Sequence, residues 1–147
     1  MLKRYLVLLL ATASFSVHAA PASFSMMDMQ GKKHTLEAHQ GKWVLVNLWA
    51  TWCAPCLTEM PELEALSKSR DDLIILGIAV DEPNPRRVAL FVEKLQVTYP
   101  IIAGDTELTK QFKARGYPTS ILYDRSGKQV FVKEGAITRK EIEAALH

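Results

Sequence analysis

The chain has 147 residues, 48% hydrophobic and 23% charged, the make-up of one globular domain that can bury a core without disulfide staples. Its formal charge of +2 arises at the amino terminus: without Lys3 and Arg4, 16 basic residues face 16 acidic ones. That balance excludes the strong basic field of a nucleic-acid or anionic-membrane binder, and Lys32-Lys33 and Arg86-Arg87 read as solvated turns.

Residues 1–19 read as a signal peptide. Lys3 and Arg4 form a basic start, Leu6 to Val17 an apolar run, and Val17-His18-Ala19 supplies small residues for cleavage after Ala19. The run holds about a dozen residues, short of the roughly 20 that span a bilayer. No cysteine near the site offers a lipid attachment point. Residues 20–147 then form one domain, placed in the bacterial periplasm or an equivalent space.

Along that domain, Ser23–Met29 reads as a strand turned at Gln30-Gly31 towards His34–Leu36. Trp43–Trp49 is a nearly continuous apolar run, the pattern of a strand buried on both faces. A helix is expected from Pro55 to Ser67, with Leu57, Met60, Leu63 and Leu66 at helical spacing. Leu73–Val80 is a second buried strand, and Asp81 to Pro85 end it and open a helix through Leu95. A strand at Tyr99–Ala103 and a helix over Asp105–Ala114 follow. Thr119–Tyr123 and Gln129–Lys133 form a hairpin about the 124–127 turn. Thr138, with Glu141 three residues on, caps a final helix to Leu146. Buried strands alternating with helices predict an α/β sheet protein. Its chemistry is expected where strands run into helices at their carboxyl ends.

Both cysteines, Cys53 and Cys56, lie in the turn after the Trp43–Trp49 strand. A bridge so short closes almost no loop and gains little loop entropy, so reactivity accounts for the pair better than stapling. At a helix start, free backbone N–H groups and the helix dipole favour a Cys53 thiolate, the attacking species in disulfide exchange. Pro55 suits the first turn, where its missing N–H costs nothing. Cys56 sits one turn on, within reach of Cys53. The competing reading is half of a zinc or copper site, which needs further Cys or His ligands. The domain holds only His34, His39 and His147, in no regular ligand pattern, and Met26, Met27 and Met29 read as strand packing. A metal cofactor is not expected. Trp49 is read as core with a share of the active-site surface.

Val44–Pro61, VLVNLWATWCAPCLTEMP, resembles the thioredoxin superfamily and, within it, the TlpA/ResA-like exported thioredoxins. The resemblance covers nearly all of residues 20–147. It implies a thioredoxin-like fold: a central mixed β-sheet flanked by helices, with an N-terminal β-hairpin and an inserted strand–helix unit at Leu73–Leu95. By position, Cys53 and Cys56 match the redox pair and Trp52 the aromatic residue before it. Ala54 and Pro55 fill the motif, and Pro61 matches the proline that kinks the active-site helix. Pro118 matches the cis-proline facing the disulfide, which gives Tyr117 the backbone that pairs with substrate. Asn47 departs from cytosolic thioredoxins, which carry a buried Asp there. The CxxCxxExP pattern makes Glu59 the acid–base residue instead.

The activity expected is thiol–disulfide exchange with protein substrates, in the reducing direction, fed by a membrane thiol electron donor and serving cytochrome c or copper-site maturation. The chain is expected to act as a monomer. Two alternatives are a copper-binding metallochaperone using the reduced pair and a non-catalytic docking module.

Overall fold

The computed structural model describes residues 23–147. The expected signal peptide, residues 1–19, lies outside the described residues. The chain opens with a hairpin of β1 (Ser25–Met27) and β2 (Lys33–Thr35), paired antiparallel. Asp28 ends β1 early because its Oδ1 accepts from the amides of Gln30 and Lys32, at 2.9 and 2.8 Å, and so makes a turn. Met26 packs into the core, Met27 is exposed and Met29 is half-buried.

The main sheet has five strands in the order β5-β4-β3-β6-β7. At its centre β3 (Trp43–Trp49) is buried at every residue, between parallel β4 (Leu73–Ala79) and antiparallel β6 (Thr119–Tyr123). This is why its sequence is continuous rather than alternating. β5 (Ile101–Ala103) pairs parallel to β4, and β7 (Gln129–Glu134) antiparallel to β6. The sheet is therefore mixed, with a hairpin on one edge. The first hairpin hangs from the other edge through Met29 N–H to the Ile101 carbonyl, 2.9 Å.

Helix α1 (Ala54–Ser69) packs against β4 and α4 (Arg139–Ala145), and α2 (Pro85–Lys94) against β5. Thr138 and Glu141 form the capping box of α4. Pro61 lies inside α1, where it removes the amide hydrogen that would bond to the Leu57 carbonyl.

Three expectations need correction. The strand expected at Tyr99 begins only at Ile101. The amides of Thr98 and Tyr99 are taken by the Glu64 carboxylate, at 2.8 and 3.3 Å, and Pro100 has no N–H for a ladder. The helix expected over 105–114 is only α3 (Thr106–Lys110). Lys113 turns to a φ of 53°, which no right-handed helix accommodates, and Phe112 comes within 6.1 Å of Phe24. Trp49 contributes nothing to the surface: it is fully buried and stacks on Phe91 of α2 at 5.5 Å.

Candidate active site

The carboxyl end of β3 runs into a short turn, Ala50–Cys53, that aims the chain into α1. Cys53 N–H donates to the Ala50 carbonyl at 3.1 Å. Thr51 ties the turn to the end of β4: its amide and hydroxyl both donate to the Asp81 carboxylate, the hydroxyl at 2.7 Å. Asp81 had no signal in the sequence beyond its place at a strand end.

Cys53 is the N-cap of α1, and its Sγ accepts from Cys56 N–H at 3.3 Å. An unpaired helix N–H thus points at the sulfur that would carry the charge. Cys53 and Cys56 are joined, with S–S 2.04 Å and Cα–Cα 5.3 Å, so this is the oxidised state. Cys53 keeps 3% exposure and Cys56 none, so an incoming sulfur meets Cys53 first. Ala54 and Pro55 are exposed beside it.

Trp52 is 70% exposed, and its ring meets the half-buried Tyr117 edge-on at 6.3 Å. The Tyr117–Pro118 peptide is cis. The Pro118 carbonyl accepts from Gly135 N–H at 2.8 Å, which fastens this loop to the segment after β7. Trp52, the disulfide and the 117–118 loop thus share one end of the sheet.

Glu59 lies on α1 one turn past Cys56 and is 4% exposed. Its Oε1 accepts from Asn47 Nδ2 at 2.7 Å and its Oε2 from Ile137 N–H at 2.8 Å. Burial raises its proton affinity above the ordinary 4.5, and the Ile137 and Asn47 donors only partly offset that. Asn47 also donates to Ser120 Oγ across the β3–β6 pair, at 3.1 Å. Sequence reading missed Asn47 and Ile137 as partners of this acid, and Ser120 as the second partner of Asn47. Only Asn47, polar inside an apolar strand, carried a signal.

A cleft of about 520 Å³ opens beside Glu59, between Pro55, Thr58 and Glu62 of α1 and residues 136–138. Another, of about 490 Å³, lies at Trp43, the opposite end of β3, and holds no sulfur. Among the described residues, no three His, Cys, Asp or Glu side chains are grouped to hold a metal. His34 and His39 hydrogen-bond to each other at 2.9 Å, and His34 to Asp28 at 2.8 Å.

A model of the AhpC/TSA family matches residues 17–132, most of the chain. The chain belongs to that family. Within this thioredoxin-like family its relatives are redox proteins. It is 30% identical to the thiol-disulfide oxidoreductase ResA of Geobacillus thermodenitrificans, over 96% of this chain and 90% of that one. It is 32% identical to the thioredoxin-like protein YneN of Bacillus subtilis, over 84% and 74%. Among solved structures, StoA from Bacillus subtilis superposes with a TM-score of 0.72 at 25% identity, covering 87% and 98%. A thiol:disulfide interchange protein from Chlorobium tepidum superposes with 0.75 at 28%, covering 88% and 97%. The fold is thioredoxin-like, and the chain is a thiol–disulfide oxidoreductase of the ResA/StoA type with a Cys53–Cys56 pair.

Proposed function

We propose that this oxidoreductase works outside the cytoplasm as a reductant of protein disulfides. Cys53 is its nucleophile, Cys56 its resolving thiol and Glu59 its acid–base residue. The observation that carries the assignment is the asymmetry of the pair: Cys53 has an exposed edge at the helix start, while Cys56 is sealed one turn before a buried carboxyl group.

In the reduced protein the Cys53 thiolate attacks a substrate disulfide. A Cys53–substrate disulfide forms, and the other substrate sulfur leaves as a thiolate. Cys56–SH gives its proton to the Glu59 carboxylate and attacks Cys53 Sγ as a thiolate. The Cys53–Cys56 disulfide forms and the second substrate thiolate departs, taking a proton from Glu59 or solvent. Two electrons pass to the substrate. Trp52, Ala54, Pro55, Tyr117 and Pro118 form the docking face, and substrate backbone pairs at Tyr117.

Ala54 and Pro55 add no charge that would further favour the thiolate, which supports the reducing direction. Electrons are then supplied by a membrane thiol donor. The substrates are disulfide-bearing apoproteins, as in cytochrome c or copper-site assembly, and the protein acts as a monomer.

Equilibration against a defined thiol buffer tests the direction. A potential near about −270 mV marks a reductant, while one near about −120 mV marks an oxidant and sinks the reducing assignment. Cys56→Ser is expected to accumulate mixed disulfides through Cys53, seen as adducts on non-reducing gels that a thiol dissolves. Turnover by wild type with no adduct in the variant would refute the two-cysteine sequence.

A further inference from the structure

We propose that Asn47, with Ser120, is a positioning residue that keeps Glu59 hydrogen-bonded in both of its protonation states by turning its side-chain amide over. The inference rests on the reading of Glu59 as the acid that gains and loses a proton.

Both oxygens of Glu59 are occupied, but by different kinds of partner. Ile137 N–H at Oε2 is a backbone donor and donates whatever the state of the acid. A proton arriving at Glu59 therefore sits on Oε1, the oxygen that faces Asn47 at 2.7 Å. In the observed orientation Asn47 presents its NH₂ group there and spends both hydrogens, one on Glu59 Oε1 and one on Ser120 Oγ. That arrangement suits an ionised Glu59. Once Oε1 carries hydrogen, donor would face donor across the same short distance.

A half-turn of the terminal amide exchanges Nδ2 for Oδ1, and this torsion is two-fold and soft. Oδ1 has two lone pairs. One then accepts from Glu59 Oε1–H and the other from the Ser120 hydroxyl, whose hydrogen rotates freely. Two hydrogen bonds are present before the turn and two after it. The unused end of the amide explains why the exchange is balanced. Asn47 Oδ1 is buried with no partner, an arrangement ordinarily avoided. After the turn the NH₂ group takes that place, so one end of the amide is unpaired in either state. An Asp at this position could only accept and would add a like charge. A Leu could do neither.

The exchange is Cys56–SH plus Glu59–COO⁻ giving Cys56–S⁻ plus Glu59–COOH, with the proton lodged on Oε1. Asn47 touches neither sulfur in this account. It holds the carboxyl group in one place while its charge changes.

The test is an NMR titration of the full chain in its oxidised form, with ¹³C in glutamate carboxyl carbons and ¹⁵N in asparagine amides. The Glu59 signal is assigned by its loss in Glu59→Gln. In wild type, the Asn47 NH₂ resonances are expected to move with the midpoint of the Glu59 carboxyl carbon, and resonances that stay flat through that titration overturn the proposal. In Asn47→Leu the Glu59 midpoint is expected to rise by no more than about one pH unit, a tenfold change in proton affinity, because the carboxylate loses a charge-assisted bond while the acid loses a weaker neutral one. In Asn47→Asp it should rise further. A rise of about two pH units or more in Asn47→Leu would mean that Asn47 serves the carboxylate alone and overturns the proposal, and the wild-type measurement decides the matter if that variant does not fold. The catalytic reading fails separately, if Glu59→Gln exchanges disulfides at the wild-type rate across the pH range.

Discussion

Glu59 and Glu64 are both buried on α1, yet their proton affinities move in opposite directions. Burial alone would raise both. Glu64 also meets the Lys68 ammonium, the Thr98 hydroxyl and the amides of Thr98 and Tyr99, which together hold it below the ordinary 4.5. Glu59 has two donors and no cation, so burial prevails and the acid is raised above the ordinary 4.5. A similar contrast lies in the hairpin. Burial and the nearby charges of His34, Lys32 and Lys42 push His39 below the ordinary imidazole value of 6.5. Asp28 is lowered in spite of burial, through its His34 partner and the amides of Lys32 and Gln30. A depressed His39 means the fold prefers its neutral form. Its stabilisation is present above about pH 6.5 and is lost as pH falls through the lowered folded value. Glu59, raised, acts the other way: its contribution is present below 4.5 and is lost as pH rises through its folded value. Melting curves of wild type and His39→Leu should separate the two. Between pH 6.5 and the carboxylate range, wild type is expected to lose stability on acidification more steeply than the variant. Parallel curves would show that the fold does not lower the proton affinity of His39.

At the scale of elements, β4 shows how one position carries the packing of three strands. Gly77 pairs with Asn47 of β3 on one side and Ile101 of β5 on the other. A Cβ there would lie 2.7 Å from Ile101 Cδ1, 3.0 Å from the Tyr99 ring and 3.2 Å from Trp49 Nε1. Its backbone is ordinary for a strand, so glycine is required by space rather than by conformation. Gly77→Ala is expected to cost about 1–3 kcal/mol through overpacking, measured by urea unfolding. A change near zero would mean that Ile101 and Tyr99 yield readily. The neighbouring β3 and β6 carry the polar exception, Asn47 beside Ser120. They tolerate it because a helix and a backbone amide converge on the same spot.

For the molecule as a whole, one core runs from β1 to α4, and the active site is built on its edge rather than in a separate lobe. The disulfide needs β3 and α1, the 117–118 loop needs β6, and the donor to Glu59 comes from the β7–α4 connection. Local loosening of the core therefore reaches the site. Leu76 is fully buried in β4. Leu76→Ala should cost about 2–5 kcal/mol in a single cooperative unfolding transition. Two resolved transitions would show that the hairpin or the α4 end folds independently of the sheet.

Much of this was legible in the chain itself. Trp43–Trp49 is apolar at every position but Asn47 because it is covered on both faces, so the central strand needed no partner to be recognised. The cysteine spacing with Pro55 and a following helical pattern identified a redox turn, since those properties are local to one helix start. Glu59 was legible as a motif position but not as a buried group. Its two hydrogen-bond donors, Asn47 and Ile137, lie 12 and 78 residues away along the chain. The early end of α3 and the late start of β5 were likewise decided by distant partners, Phe24 and Glu64. Periodicity reports which face an element buries. Only tertiary structure decides which donor and acceptor meet there, because hydrogen bonds and proton affinities depend on groups that folding brings together from separate strands and loops.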